Sequence, residues 1–547
     1  MVSPCAAAVW HALPNERLKT LNSPPTYPMN IKQAPGLAAL PADAATVEFG
    51  GAMLTIEDVV ALARRDAAPV LSSAPDFRER IQRGASFLDT LLAQEGKIYG
   101  VTTGYGDSCG VDVPVSLAAE LPTHLYTFHG CGLGRMLEPD ETRAVLAARL
   151  ASLCRGYSAV SPALLEQLTA LLQNDVLPRI PAEGSVGASG DLTPLSYVAA
   201  VLCGEREVAF DGRQMSAGEA LAAIGRAPLR LRPKEALAIM NGTAVMTGLA
   251  CLAWQRAADL ARLAATLTAC GVVATDGNPY HFDAALSEAK PHPGQVRAAA
   301  AIREWLGGAR APRHSRRLQD RYSLRCAPHV IGVLEDALDW SRRWIETELN
   351  SANDNPLVEP DEERVLHGGH FYGGHIAFAM DGLKAAVASV ADLLDRQLAT
   401  LVDPRFNHGL PANLSGATGP TACLHHGLKA VQIGVSAWTA EALKNTMPAA
   451  SFSRSTECHN QDKVSMGTIA ARDCIRVIEL SEQVGAAMLI AVRQALALRE
   501  RLGGTIPAPM TPLVHRLNER IPFIEADRAL DTELVALVGE IRQGEWR

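Results

Sequence analysis

The sequence predicts a mainly α protein: a core bundle of long helices with a smaller mixed domain on its N-terminal side. Of 547 residues 48% are hydrophobic but only 5% aromatic, and Ala and Leu outweigh the β-branched residues, a composition that favours helix over sheet. Helical apolar periodicity is sustained over 243–271, 328–350, 373–401, 421–447 and 464–500, stretches too long for strands. Helices of that length and density bury their faces against one another, which means a bundle.

Taken in order, residues 1–45 are rich in Pro and Ala without periodicity and read as a loose N-terminal extension. From Val47 the pattern reads as a short strand, a turn and a helix capped by Thr55, opening a domain placed at 46–242. The bundle domain follows at 243–547. The uncharged run 236–254 is long enough to suggest a membrane span, but Asn241, Thr243, Thr247 and its glycines mark it as a buried core helix, so no membrane segment is expected. Pro- and Gly-rich stretches near 285–295, 355–375 and 403–420 are short enough to be functional loops.

The net charge is -8 and the Lys and Arg residues are scattered, which leaves no electrostatic footprint for nucleic acid and favours a small-molecule substrate. Eleven cysteines without a Cys-x-x-Cys pair, set among apolar neighbours, suit free thiols in a reducing compartment. With no secretory signal at the N-terminus, the expected location is cytoplasmic.

Residues 184–197 read Gly-Ser-Val-Gly-Ala-Ser-Gly-Asp-Leu-Thr-Pro-Leu-Ser-Tyr. Glycine at 190 lets its backbone nitrogen bend back onto the Ala188 carbonyl, because no Cβ forbids the turn. The tripeptide Ala188-Ser189-Gly190 can therefore close a ring. Loss of water from the ring and from the Ser189 side chain leaves a conjugated imidazolone with an exposed methylene, an electrophile that no ordinary side chain supplies. A plain turn is the other reading of these small residues. The run lacks the second Gly of a nucleophile elbow and the Gly-Lys-Ser/Thr of a phosphate loop.

Further groups carry chemistry. Tyr99 lies in 97–106, whose glycines suit a mobile lid or, more plainly, a surface turn. Gln319, Tyr322 and Arg325 are spaced three apart and share one face of a helix or helical turn; the Arg fork fits a carboxylate, and a salt-bridged surface turn is the blander alternative. Asn241, placed inside an apolar helix, is either a satisfied core amide or a ligand for the electrophile's oxygen. Asn355 precedes Pro356, as in an Asx turn. His367, His370 and His375 invite a metal reading, but no Cys or carboxylate completes a set at customary spacing, and no metal is expected. Glu441 falls on a helix at 435–444, plainly read as a surface carboxylate, and His459-Asn460-Gln461-Asp462 is followed by Ser465-Met466-Gly467.

Together, over about residues 47–510, these motifs resemble the aromatic amino acid ammonia-lyases of bacterial type: the histidine, phenylalanine and tyrosine lyases and their aminomutase relatives. The resemblance implies the ammonia-lyase/fumarase-like helical fold and a homotetramer whose active sites combine residues of several subunits. It implies a 4-methylideneimidazole-5-one (MIO) group formed autocatalytically from Ala188, Ser189 and Gly190, with Asn241 beside it and no external cofactor. Tyr99 would remove the β-proton, Arg325 would hold the substrate carboxylate, and Tyr322 and Gln319 would support the group and proton traffic. Asn355, Phe371, Glu441 and Gln461 would line the substrate pocket. Tyr105 and His370 depart from the family's usual Phe and Asn. Since a phenol titrates near about 10, Tyr99 needs electropositive surroundings, for which the helix starting at Thr193-Pro194 offers its N-terminus.

Substrate choice rests on Phe128-His129, at the position that reads Ser-His in histidine lyases, Phe-Leu in phenylalanine lyases and His-Leu in many tyrosine lyases. Phe128 offers a wall for a benzenoid ring and His129 a hydrogen-bond partner for a para-hydroxyl or an imidazole nitrogen. The expected reaction takes an aromatic L-amino acid, tyrosine first and phenylalanine close behind, to the trans-arylacrylate (coumarate or cinnamate) and ammonia. A histidine lyase forming urocanate, an aromatic 2,3-aminomutase, a helical lyase without the electrophile and a non-catalytic helical scaffold are the alternatives.

Overall fold

A strand, a helix and a second strand open the described part of the chain. In the computed structural model, which describes residues 45–94, 97–308, 310, 312–313 and 318–546, β1 (Ala45–Phe49) pairs in parallel with β2 (Ala67–Leu71), Val47 opposite Pro69. Residues 1–44 of the expected extension lie outside that description. Helix α1 (Ile56–Arg64) connects the strands and starts where expected: the Thr55 hydroxyl accepts from the Asp58 N–H, and the Asp58 carboxylate accepts from the Thr55 N–H.

The segments that carry chemistry follow. Helix α2 (Leu121–Phe128) leads into a strand at Leu133–Met136 that pairs antiparallel with Pro181–Glu183. That pairing, Leu133 opposite Glu183, delivers the chain after Phe128 beside the start of the Gly184 loop. Helix α3 (Pro139–Leu153) is buried on all sides, helix α4 (Leu192–Leu202) follows the tripeptide, and α5 (Glu235–Met240) is a short buried helix.

The bundle consists of α6 (Ala244–Ala274), α7 (Ala327–Leu349), α8 (Gly374–Val402), α9 (Lys429–Lys444) and α10 (Gly467–Arg501). Helix α10 packs along both α8 and α6; α7 closes against α6 and α8, α9 covers α8 and α10, and α3 lies on α6. Small Ala side chains let these backbones approach, and the main hydrophobic core draws on residues from Val47 to Trp546, with a smaller cluster of Leu88, Ile98, Val101, Ala159 and Val358 at the lid segment. Helix α6 is long and apolar enough to cross a membrane, yet 89% of its most apolar stretch is buried inside the bundle.

Two expectations change. The helix anticipated over 421–447 is α9 alone, preceded by a separate turn at Ala422–Leu424, because Gly427 adopts φ +54 and its N–H, with that of His426, is tied to the Asp527 carboxylate. Asn241 is not inside a helix. It sits at the break between α5 and α6, with extended backbone, followed by Gly242 at φ +154. A Cβ at Gly242 would lie 2.0 Å from an Arg149 Nη1 and 2.6 Å from the Asn353 Oδ1, so only glycine fits there.

Candidate active site

The break at Asn241 exists to meet the tripeptide. Gly190 and Gly242 form an isolated parallel bridge, and the Asp191 N–H donates to the Gly242 carbonyl at 2.8 Å. Freed from the helix, the Asn241 Nδ2 donates to the Ser189 carbonyl oxygen at 2.8 Å, while its Oδ1 is buried without a hydrogen-bond partner. From below, the fully buried Arg149 donates to the carbonyls of Ala238 (2.6 Å) and Asn241 (3.3 Å) and to the Asn353 Oδ1 (3.2 Å). These bonds satisfy carbonyls at the end of α5 that have no helical partner.

The tripeptide occupies a tight turn. Gly187, Ser189 and Gly190 have φ of +72, +51 and +77, left-handed values that are costly for Ser189. A Cβ on Gly190 would fall 2.2 Å from the Gly242 carbonyl oxygen. The Ser189 hydroxyl accepts from the Gln461 Nε2 at 3.1 Å, and the Thr456 hydroxyl orients that amide by donating to its Oε1 at 3.1 Å. Asp191 is wholly buried: its carboxylate accepts from the N–H groups of Val245 and Met246 in the first turn of α6 (both 3.0 Å), from the Ser185 hydroxyl (3.0 Å) and from the Thr468 hydroxyl. One carboxylate thus ties the loop to α6 and α10.

A cavity of about 830 Å³ opens over this turn. Of the residues expected at the site, Tyr99, Phe128, His129, Ala188 and Ser189 line it, as do Asn241, Asn355, Phe371 and Gln461. Phe128 ends α2 and His129 follows it, their rings 4.5 Å apart. Burial pushes the His129 imidazole down to about 4, so it is neutral near pH 7, with one ring nitrogen a donor and the other an acceptor. The Asn355 Oδ1 accepts from the Gly368 N–H at 2.8 Å. His367 meets the Tyr99 ring edge-on at 6.1 Å and His375 packs on Trp344, so these histidines turn to different neighbours.

Tyr99 hangs in the glycine-rich segment expected to be a lid, its hydroxyl accepting from the Gly106 N–H at 2.8 Å. Burial raises its pKa, the Gly106 N–H works against that, and the Glu457 carboxylate raises it further. The first residue of α4, Leu192, and the side chain of Lys463 line the same cavity as Tyr99.

Four expected residues lie elsewhere. Arg325 donates to the Gln319 Oε1 at 3.3 Å and stacks 4.7 Å over the Tyr322 ring, so the three side chains meet, with Gln319 preceding the one-turn helix Tyr322–Arg325. Gln319 and Arg325 line a different cavity, of about 320 Å³, while Tyr322 is 72% exposed. Glu441 pairs with Arg476 at 2.7 Å, also away from the tripeptide cavity.

Sequence reading passed over Glu457, which lines the cavity and accepts the Asp107 N–H at 2.9 and 3.1 Å, joining the lid to the Gln461 loop. Its signal was present, a carboxylate four residues before Gln461. Asp191 directly follows the tripeptide with no spacing that marks its role, and Arg149 offers only a charge inside an apolar helix.

Residues 54–519 match the family described as aromatic amino acid lyase. The chain belongs to this family. Among the lyase relatives is the tyrosine ammonia-lyase of Cupriavidus metallidurans, 36% identical over 91% of this chain and 96% of that protein. The histidine ammonia-lyase of Geobacillus sp. is 35% identical over 91% of this chain and 97% of its own. The MIO-dependent tyrosine 2,3-aminomutase of Streptomyces globisporus is 36% identical over 91% and 95%. The crystal structure of tyrosine aminomutase from that organism superposes with a TM-score of 0.85 at 34% identity, covering 92% of this chain and 98% of that one. The mainly helical lyase fold is shared, and the chain is a carbon–nitrogen lyase.

Proposed function

We propose that this lyase converts an aromatic L-α-amino acid, tyrosine foremost and phenylalanine next, to its trans-arylacrylate and ammonia. The observation that carries the reading is the seating of Phe128 and a neutral His129 in the same cavity as the Ala188-Ser189-Gly190 turn. The first is a wall for a benzenoid ring, the second a partner for a para-hydroxyl. A ligand without the hydroxyl leaves that imidazole unpaired, which is how a buried polar group discriminates.

The residues of the turn fit an MIO group. The left-handed backbone at Ser189 and Gly190 is the bend that ring closure asks for, and Asn241 and Gln461 already grip the Ser189 carbonyl and hydroxyl. When formed, the group supplies the electrophile that labilises the substrate amine. The chain's own residues do the rest. Tyr99 takes the β-proton, Phe128 and Phe371 confine the ring, and the amine enters beside the carboxylate of Glu457. Arg325 binds the substrate carboxylate from a neighbouring copy, in a cytoplasmic homotetramer. That assembly accounts for Arg325 lying away from the tripeptide cavity and for Tyr322 facing outward.

Ultraviolet detection of arylacrylate from L-tyrosine, L-phenylalanine and L-histidine in parallel, with Ser189→Ala as control, tests the reading. Coumarate formed fastest, and none from the control, is the expected result. Urocanate formed fastest overturns the substrate, and accumulation of a β-amino acid makes the enzyme an aminomutase.

A further inference from the structure

Arg206 stands where glycine would sit without cost. Its φ is +66, a left-handed conformation unfavourable to any side chain, and the Ala217 N–H fixes that backbone by donating to the Arg206 carbonyl at 2.8 Å. An arginine kept in such a conformation points to work done by its guanidinium. One nitrogen, Nη2, donates to the Tyr126 carbonyl at 2.6 Å, and Nη1 donates to the Ser196 hydroxyl at 3.1 Å. The guanidinium also stacks 4.1 Å over the Tyr197 ring.

These partners belong to two helices. Tyr126 is in the last turn of α2, whose end carries Phe128 and His129; Ser196 and Tyr197 are in α4, which begins directly after the tripeptide turn. The Tyr126 carbonyl has no helical partner, since the Gly130 N–H donates instead to the Thr127 carbonyl, so Arg206 satisfies an orphaned acceptor and places a cation at a helix C-terminus. Glu205 holds the same residue at its other end, accepting the Tyr126 phenol O–H at 2.9 Å. Tyr126 itself is buried.

We propose that Arg206, assisted by Glu205, is a specificity-positioning residue: it clamps α2 to α4 and so sets where Phe128 and His129 stand relative to the Ala188-Ser189-Gly190 turn. It lies outside the cavity lining and acts only through those two side chains. The inference rests on the assignment of Phe128 and His129 as the pair that faces the substrate ring.

Calorimetric binding of p-coumarate, cinnamate and urocanate to the Ser189→Ala protein reads discrimination without turnover. Glycine accepts the backbone of position 206 but leaves the Tyr126 carbonyl without its donor, so adding Arg206→Gly should lower the unfolding temperature while compressing the ratio of best to second-best dissociation constants by about tenfold. Arg206→Lys keeps a charge but not the fork, and should recover part of the ratio. An unchanged ratio in Arg206→Gly, or equal weakening for all three ligands, overturns the clamp. Tyr126→Phe removes only the phenol bond and should compress the ratio in the same direction; no change there overturns it even where Arg206→Gly does not fold. Should the parent prefer urocanate, the tyrosine assignment falls, and the clamp is still judged by the same ratio.

Discussion

Replacing Gly190 by alanine tests the link between backbone geometry and the electrophile. An ideal Cβ there would lie 2.2, 2.4 and 2.7 Å from the O, C and Cα of Gly242, against the roughly 3.5–4.0 Å of ordinary carbon contact. The obstacle is backbone, so the two segments must part by about 1 Å. Three costs follow: about 1–3 kcal/mol for overpacking, about 1 kcal/mol for the Asp191 N–H bond to the Gly242 carbonyl, and roughly 1–2 kcal/mol for a Cβ at φ +77. The expected loss of stability is thus about 3–6 kcal/mol, and the turn that presents the Gly190 nitrogen to the Ala188 carbonyl is lost with it. Intact-mass and peptide mass measurements should find the parent lighter by two waters at residues 188–190 and Gly190→Ala at full mass, with earlier melting. If the variant shows the two-water deficit and melts with the parent, the steric reasoning is refuted. Earlier melting with the deficit retained would separate the two, leaving the packing cost and removing the claim about ring closure.

Other variants probe the remaining groups. Tyr99→Phe should lower kcat by about 10²–10⁴ with little change in KM, as expected for loss of a proton-transfer group, and an unaltered kcat would remove Tyr99 from that role. Because the Glu457 carboxylate holds the Tyr99 phenol's pKa up, Glu457→Gln should move the rising limb of the kcat/KM profile to lower pH; a shift to higher pH contradicts the assignment. His129→Leu should cut tyrosine kcat/KM at least about tenfold while sparing phenylalanine, and equal losses on both would deny it a hydroxyl contact. His129 binds its proton near about 6.5 when unfolded and only at about 4 when folded, so its contribution to stability is present above the first value and is lost as pH falls toward the second. In His129→Leu the unfolding midpoint should therefore decline less between those pH values. Asp191→Ala orphans the buried Val245 and Met246 N–H groups at roughly 1–3 kcal/mol each, and denaturant unfolding should report about 2–6 kcal/mol; a loss below that range means water replaces the carboxylate.

The sequence by itself determined what is local. Ring closure needs only three consecutive residues with a glycine third, so Ala188-Ser189-Gly190 is legible without a fold. Thr55 capping α1 is a three-residue matter, and the long Ala/Leu runs declare their helices through periodicity, failing at 421–428, where Gly427 and the distant Asp527 end the pattern, and at the break after Met240. Tertiary structure decided which of these pieces meet. Asn241 reaches Ser189 because packing against Arg149 and Asn353 admits only a glycine at 242, and so breaks a run that reads as continuous helix. Tyr99, Phe128 and Gln461 are far apart in sequence and share a cavity only because the bundle folds their loops together, whereas Gln319, Arg325 and Glu441, equally suggestive as motifs, end up away from it in the single chain. Glu457 and Arg206 show the same limit from the other side. Their roles depend on partners some 350 and 80 residues away, Asp107 and Tyr126, and no periodicity or spacing encodes a contact whose geometry is set by the packing of the whole core.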